Sequence, residues 1–298
     1  MKTTFSKGKV KAFLEKSWGD IPDFYQLTEG LSSQTFGFQF AKSNYVIRIN
    51  RSINGFKKDA YVSRMFRSKS LPIPEVVEVD HMENGYAFCI SRKADGVRIQ
   101  DLEKKELPQI TESVVDVVRT ISNTDLAGTT GFGRFNSKGE AEFLSWNAFL
   151  KSIWDPSYYD WNFVSDSFKL STIEKMFKRV EELSKFCPEK RSLIHGDFGS
   201  YNVLTDKGHV TAVIDWDLSL FGDPLYELAT LLFWNENHMA HVIKELQLSS
   251  DTMYASERLL CYQLHCGLQE LHMSTVNQGT DSLLPWITKR CMELVRLK

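Results

Sequence analysis

Apolar positions in the first third of the chain switch between helical and strand spacing. Val10, Phe13, Leu14 and Trp18 share one face of a helix, and Ser6 stands where a residue capping its first turn belongs. Runs rich in aromatic and β-branched residues follow, and the first three are spaced for an antiparallel meander. The predicted elements are a helix at 6–18, strands at 23–30, 34–42 and 44–50, a helix at 56–70, and strands at 74–80 and 86–92.

The rest of the chain is mostly helical in its periodicity, with one short β segment between residues 191 and 215. This change of character near 92–96 predicts a boundary between two lobes. We therefore expect an α+β protein with an N-terminal nucleotide-binding lobe at 1–92 and a C-terminal catalytic and substrate-binding lobe at 93–298. The predicted helices lie at 107–124, 145–154, 168–186, 224–247, 252–274 and 283–296, and the Gly-rich stretch 127–140 is predicted to be a loop.

Charge and composition exclude several classes of partner. The 36 Lys and Arg against 38 Asp and Glu give a net charge of −2, with no basic excess to attract nucleic acid. The longest apolar run, 228–234, is far shorter than the roughly 20 residues of a membrane span. Five scattered cysteines without a CxxC spacing, and an N-terminus without a signal-peptide pattern, predict a cytoplasmic protein with reduced thiols.

The segment HGDFGSYN at 195–202 and the hairpin after it carry the candidate chemistry. Phosphoryl transfer requires a carboxylate that receives a hydroxyl proton, and hard oxygen ligands that hold Mg²⁺ against the phosphates. Asp197, Asn202 and Asp215 supply that set, and a hairpin brings Asn202 and Asp215 together because it returns its ends to one place. Either aspartate alone is equally well explained as a turn or strand end, so the joint spacing carries the prediction.

His195 opens this segment and has two candidate roles. We expect it to order the loop by hydrogen bonding. Because imidazole titrates near neutral pH, a general-base role is the alternative.

HGDxxxxN followed by IDW resembles the aminoglycoside phosphotransferase family. The resemblance covers most of the chain and narrows to the members that phosphorylate hygromycin. It implies a protein-kinase-like bilobal fold with a small antiparallel-sheet N-lobe and a larger, mainly helical C-lobe. The blocks that carry it are, in order, LPIPEV, CISR, QDL, TGFG, HGDFGS, NVLTD, TAVIDW and FGD.

The resemblance also implies roles for single residues. Asp197 would accept or orient the substrate proton, while Asn202 and Asp215 would bind Mg²⁺ beside ATP, with GTP as the alternative donor. The lobe junction would pass the adenine, with main-chain groups from Ser91 to Lys93 at its edge.

The nucleotide-binding residues of the N-lobe are matched more loosely. Gly30, Ser32 and Ser33 lie in the loop expected to cover the phosphates with backbone N–H groups, and an ordinary hairpin loop is the alternative. Arg48 occupies the place of the usual phosphate-binding lysine, and Asp59 that of its glutamate partner. A surface ion pair is the alternative for these two.

A polycationic acceptor predicts carboxylates near the catalytic strand. Asp217, Asp223, Glu227 and Glu236 follow that strand closely, and Asp217 and Glu227 are the predicted substrate contacts. Asp223 precedes a proline and has the features of a helix cap. The aromatic group at 154–161 either stacks on sugar rings or packs a helical subdomain.

The predicted activity is ATP- and Mg²⁺-dependent phosphorylation of a hydroxyl on a hygromycin-type aminoglycoside, a small cationic and polyhydroxylated substrate. A monomer is expected, without nucleic-acid or membrane partners. Two alternatives stay open: a kinase for another small hydroxyl metabolite, and a nucleotide-binding pseudokinase regulator, for which the unusual Arg48 and Asp59 leave room. A protein kinase is disfavoured because no APE-like element follows Asp215.

Overall fold

The chain folds, in a computed structural model, into a five-stranded antiparallel sheet and a larger part that is mainly helical. The structure describes residues 5–27, 33–161, 164, 170–249, 252–276 and 283–297. No helix within these ranges is long and apolar enough to cross a membrane. The observed elements agree with the α+β class that the sequence predicts.

The N-terminal sheet contains the predicted meander. Gln34 pairs with Ile49 and Phe40 with Ser43, so the second and third strands form a continuous hairpin. The sheet has the order β1-β2-β3-β5-β4 and consists of β1 (Phe24–Gln26), β2 (Gln34–Phe40), β3 (Ser43–Asn50), β4 (Val76–Met82) and β5 (Tyr86–Arg92). Helix α1 (Lys7–Trp18) begins at the predicted cap Ser6, and its buried Val10 and Leu14 belong to the apolar core of this sheet.

Helix α2 (Ile53–Phe66) packs against both parts of the molecule. It begins after Ser52, whose hydroxyl accepts the N–H of Gly55. Phe56 packs with apolar residues of β5, whereas Val62 and Phe66 belong to the large core of the helical part. Residues of α2 are therefore placed to contact the catalytic strands that follow much later in the chain.

The helical part is built around one long, buried helix. The helices are α3 (Leu107–Ser122), α4 (Trp146–Lys151), α5 (Leu170–Ser184), α6 (Leu225–Trp234), α7 (Ala240–Leu248), α8 (Ala255–Val276) and α9 (Leu284–Val295). Helix α8 packs against α5, α6 and α9. Most of its described side chains are buried, which is the burial expected of a central helix.

The predicted single helix at 224–247 is wrong, because the structure has two helices there. Asn235 has a left-handed backbone (φ 47°), and its N–H closes the end of α6 by donating to the Leu231 carbonyl at 2.8 Å. Asparagine is one of the few residues that adopt this conformation readily. The break places Glu236 in a turn that contacts Ser200, within the segment 195–202 that carries the predicted catalytic residues and is called the catalytic loop below.

Short strands add two small antiparallel sheets to the helical part. The predicted hairpin is present, and Arg98 extends it by pairing with Leu204. The strands are β6 (Val97–Arg98), β7 (Phe132–Phe135), β8 (Ala141–Phe143), β9 (Ser192–Ile194), β10 (Val203–Asp206), β11 (His209–Val213) and β12 (Leu220–Gly222). The loop prediction for 127–140 is wrong at β7, which is a strand. No strand signal is present in the sequence there, because β7 has only four residues, contains Gly133 and lacks an apolar alternation.

Candidate active site

The catalytic loop joins β9 to β10 and is organised around His195. The ring Nδ1 accepts the N–H of Asp197 at 3.3 Å, so Nε2 carries the proton and donates to the carbonyl of Ile214 at 3.0 Å. Burial lowers the pKa of His195 to about 4, which keeps the imidazole neutral. With both nitrogens engaged, the ring ties the loop to the strand that leads to Asp215. This geometry supports the loop-ordering prediction over the general-base alternative.

Glu227 lies beneath the loop, contrary to its predicted contact with substrate. Its side chain is 3% exposed, and its Oε2 accepts the backbone N–H groups of His195 at 2.6 Å and Gly196 at 3.3 Å. Burial raises its pKa to about 7, while the backbone donors favour the charged form. Glu227 therefore stabilises the backbone of the loop, because its side chain on the first turn of α6 is directed into the protein interior.

Asp197 is held by two donors from its own loop. The hydroxyl of Tyr201 donates to Oδ1 at 2.5 Å, and the amide nitrogen of Asn202 donates to Oδ2 at 3.0 Å. Burial, together with the neighbouring charges of Asp215 and Glu270, raises the pKa of Asp197 to about 7, against the lowering effect of the two donors. Such a carboxylate is poised to accept a proton near neutral pH. The sequence pattern offered no signal for Tyr201.

Asp215 lies close to Asp197 and Asn202, as the predicted hairpin requires. The N–H of Ile214 donates to the carbonyl of Asn202 at 2.9 Å, which joins the two strand ends. Asp215 has a left-handed backbone (φ 65°), and its half-exposed carboxylate lies 3.9 Å from Arg48. Partial burial and the nearby Asp59 raise its pKa to about 6, while Arg48 acts in the opposite direction. The three predicted catalytic and metal-binding residues therefore lie together.

The oxygen atoms at this place fit a magnesium-bound nucleotide. Because the amide nitrogen of Asn202 donates to Asp197, its amide oxygen is left as an acceptor. Nowhere in the described ranges do three Asp, Glu, His or Cys side chains form a ready-made metal cage. Mg²⁺ is commonly held by one or two protein ligands together with substrate phosphates. The donor set matches that pattern.

Arg48 and Asp59 form the predicted ion pair. Their side chains are in contact, and Asp59 is buried, so the surface-pair alternative is wrong. The second carboxylate oxygen of Asp59 accepts the N–H of Trp216 at 2.9 Å. The pair thus connects β3, α2 and the residue after Asp215. A phosphate-binding role for Arg48 stays a prediction.

The phosphate-loop prediction falls mainly outside the described part of the chain. Gly30 and Ser32 lie outside the described residues. Ser33 is buried, and its hydroxyl accepts the side-chain N–H of Asn50 at 3.0 Å. The Ser33 side chain therefore connects the start of β2 to the end of β3.

Part of the backbone at the lobe junction is engaged in the sheet. Ser91 is paired with Val46 on one side and with Val76 on the other. The N–H of Lys93 donates to the carbonyl of Asn44 at 2.9 Å. The Lys93 N–H is thus already used by the protein, and an adenine contact by other main-chain groups of 91–93 stays a prediction.

Further carboxylates lie near the residues described above. Glu236 accepts the N–H of Ser200 at 3.1 Å as well as its hydroxyl, and Asp217 is exposed beside Gly55 at the start of α2. Glu270 of α8 is half-buried, and burial raises its pKa to about 7. Sequence reasoning missed Glu270, although an acidic residue in a largely buried helix was a usable signal.

Asp223 is a buried anchor between helices, more than the helix cap that the sequence predicts. Its Oδ1 accepts the N–H of Leu225 at 3.3 Å, which is a capping contact. Both carboxylate oxygens also accept from Arg258, at 2.7 and 2.9 Å, and Tyr262 donates to Oδ2 at 2.6 Å. The pair fastens α6 to α8 below the catalytic loop.

Two aromatic groups have different surroundings. Trp154 stacks against Trp161 and Phe177, and Trp161 is buried, so this group packs the helical part. Trp234 and Trp286 form a parallel stack with centroids 5.3 Å apart, and Trp286 is 39% exposed. This second stack was not predicted, although Trp234 lies only two residues before Glu236 in the sequence.

Comparisons with known proteins agree with this geometry. The family model described as "APH: Phosphotransferase enzyme family" matches residues 23–260. The chain belongs to this family. The family description agrees with the predicted transfer of a phosphoryl group.

Three similar proteins cover nearly the whole length of this APH-family chain. It is 38% identical over 96% of its length to the Escherichia coli protein "Hygromycin-B 4-O-kinase", of which it covers 84%. A crystal structure of aminoglycoside phosphotransferase APH(4)-Ia covers 98% of the chain and is itself covered to 99%, with 37% identity and a TM-score of 0.93. A thermostable mutant of APH(4)-Ia in ternary complex with AMP-PNP and hygromycin B has 39% identity, coverages of 97% and 98%, and a TM-score of 0.91. These similarities confirm the predicted kinase-like fold and family.

Proposed function

We propose that the chain transfers the γ-phosphoryl group of ATP, with Mg²⁺, to a hydroxyl of hygromycin B or a close analogue, acting as a cytoplasmic monomer. The observation that carries the proposal is the meeting of Asp197, Asn202 and Asp215 at one place. The similarity to a hygromycin-B 4-O-kinase supports the acceptor and suggests its 4-hydroxyl as the modified position. We take ATP as the donor because similar structures of 39% identity carry AMP-PNP or ADP, and GTP stays the alternative.

Asp197 would receive the proton of the attacking hydroxyl. The bonds from Tyr201 and Asn202 fix both carboxylate oxygens, which orients the group before the acceptor arrives. Arg48, beside Asp215, would add positive charge near the phosphates. Mg²⁺, when bound through Asn202 and Asp215, would neutralise phosphate charge.

Acidic groups above Asp197 would recognise the amino groups of the acceptor. Glu270 lies near enough to Asp197 to raise its pKa, and Glu236 is fixed on the adjoining Ser200. The Trp234–Trp286 stack would supply an apolar wall for sugar rings. Asp217 is exposed and stays a proposed contact.

The test is a transfer assay in which mass spectrometry detects phosphorylated product. The acceptors are hygromycin B, a second aminoglycoside, an amino alcohol, a sugar and a nucleoside, each with ATP or GTP. We expect phosphorylation of hygromycin B with ATP, abolished when a chelator removes Mg²⁺. Transfer only to another acceptor would overturn the substrate but keep the kinase. Nucleotide binding without transfer to any acceptor would favour the pseudokinase alternative.

A further inference from the structure

Two neighbouring side chains of α2, Lys58 and Asp59, hold the segment that follows Asp215. The ammonium group of Lys58 donates to the carbonyl of Asp217 at 2.7 Å and to that of Ser219 at 2.6 Å. Asp59 accepts the N–H of Trp216 at 2.9 Å. Helix α2 therefore makes three polar contacts with the backbone of 216–219, which we call the metal-loop flank.

The surroundings of Lys58 show that it faces this flank and not the nucleotide cleft. Its side chain is 4% exposed, and its ammonium lies 4.4 Å from the centroid of the Phe135 ring. A buried ammonium is costly unless its N–H groups are satisfied, and here the flank carbonyls and the ring do so. Two of the three ammonium N–H groups are used by the flank carbonyls, so the group is directed at the flank.

Asp215 needs such support because of its backbone. A φ near 65° is uncommon outside glycine, although Asp and Asn adopt it more readily than other residues, and it persists where the surrounding structure holds it. Within the flank, the carbonyl of Trp216 accepts both the N–H and the hydroxyl of Ser219. That tight turn leaves the carbonyls of Asp217 and Ser219 directed at Lys58. Without a donor there, the turn would lose the contacts that fix its orientation.

We propose that Lys58 is a positioning residue for phosphoryl transfer, which holds the metal-loop flank so that the carboxylate of Asp215 stays beside Arg48. The proposal rests on the proposed function of Asp215 as a magnesium ligand. Lys58 acts through the backbone of the flank and touches neither substrate nor nucleotide. It also joins the sheet lobe to the helical lobe at the point where the metal-bound nucleotide would lie.

The test compares Lys58→Met with Lys57→Met, an exposed neighbour on the same helix. The first measurement is amide hydrogen exchange of 215–219 in protein without nucleotide or metal. The second is the Mg²⁺ concentration for half-maximal binding of a fluorescent ATP analogue. In Lys58→Met we expect exchange about tenfold faster or more, and at least about tenfold more Mg²⁺, because bonds from a charged donor are lost. Lys57→Met should match the wild type within about twofold.

A second variant, Lys58→Gln, keeps an N–H donor without charge and should give intermediate values. Wild-type exchange and Mg²⁺ dependence in a folded Lys58→Met would overturn the proposal, even with a lowered Tm. Failure of both Lys58 variants to fold would also overturn it, because Lys58 would then serve folding alone. The exchange measurement uses no acceptor, so a wild type that does not phosphorylate hygromycin B refutes the proposed function and leaves this test intact.

Discussion

At the scale of single residues, Asp197 is distinguished by the groups that surround it. Spacing alone predicted that it would meet Asn202 and Asp215. It could not predict Tyr201 as a donor to Asp197 or Glu227 as a support beneath the loop, because both depend on side-chain directions. The raised pKa of Asp197 follows from burial and from neighbouring carboxylates that the fold brings together.

The raised pKa predicts an acid limb in the activity profile. Asp197 acts as a proton acceptor only when it is ionised, so activity rises with pH through its pKa of about 7 and is lost below it. We expect kcat/KM for the acceptor to fall about tenfold per pH unit below that value. Steady-state kinetics from pH 5.5 to 9, at saturating ATP and Mg²⁺, measure the limb.

Tyr201→Phe provides the matched variant. The hydroxyl of Tyr201 donates to the ionised carboxylate and lowers the pKa of Asp197, so its removal should move the acid limb to higher pH. A shift to lower pH, or an unchanged limb in a folded variant, would argue against this account of Asp197.

At the scale of elements, helices with a clear apolar face were predictable and short strands were not. α1 begins at its predicted cap, and α3 buries the apolar stripe of Ile110, Val114, Val117 and Ile121. Strand β12 has only three residues, and β7 contains a glycine, so neither has a periodicity to detect. Helix α6 ends at the left-handed Asn235. The sequence did not indicate this end, because the apolar helical periodicity continues past it.

The buried pair of Asp223 and Arg258 should stabilise the joint between α6 and α8. Arg258→Met leaves the Asp223 carboxylate buried without its cation, which is expected to cost about 3–5 kcal/mol in the free energy of unfolding. Urea unfolding followed by tryptophan fluorescence measures the change.

The control for that change is Arg296→Met, which removes an exposed arginine near the end of α9 and should shift stability by less than about 0.5 kcal/mol. Equal stabilities of the two variants would show that the α6–α8 joint does not depend on the pair.

At the scale of the whole molecule, a nearly neutral chain concentrates negative charge around one loop. The net charge is only −2, yet Asp197, Asp215, Glu236 and Glu270 lie around the catalytic loop. Composition predicted the absence of a basic nucleic-acid surface but could not show this local excess. The excess arises because α8 and the turn after α6 return acidic residues to the loop.

Acceptor binding should therefore depend on salt and on Glu270. Raising the ionic strength from 0.1 to 1 M shortens the Debye length from about 10 to about 3 Å, so KM for hygromycin B should rise. Glu270→Gln should raise that KM by about tenfold, leave kcat nearly unchanged and flatten the salt dependence. The matched control is Glu245→Gln, exposed on α7, which should behave as wild type. A KM independent of both salt and Glu270 would point to a neutral acceptor.

The most direct test of the central claim is the rate of phosphate transfer to hygromycin B by Asp197→Asn, with ATP and Mg²⁺ at pH 8. The amide cannot accept the hydroxyl proton, so kcat should fall by about 10²–10⁴-fold while Tm and Mg²⁺-dependent nucleotide binding are retained. Turnover close to that of the wild type would contradict the assignment of Asp197 as the proton acceptor and the phosphotransfer mechanism built around it.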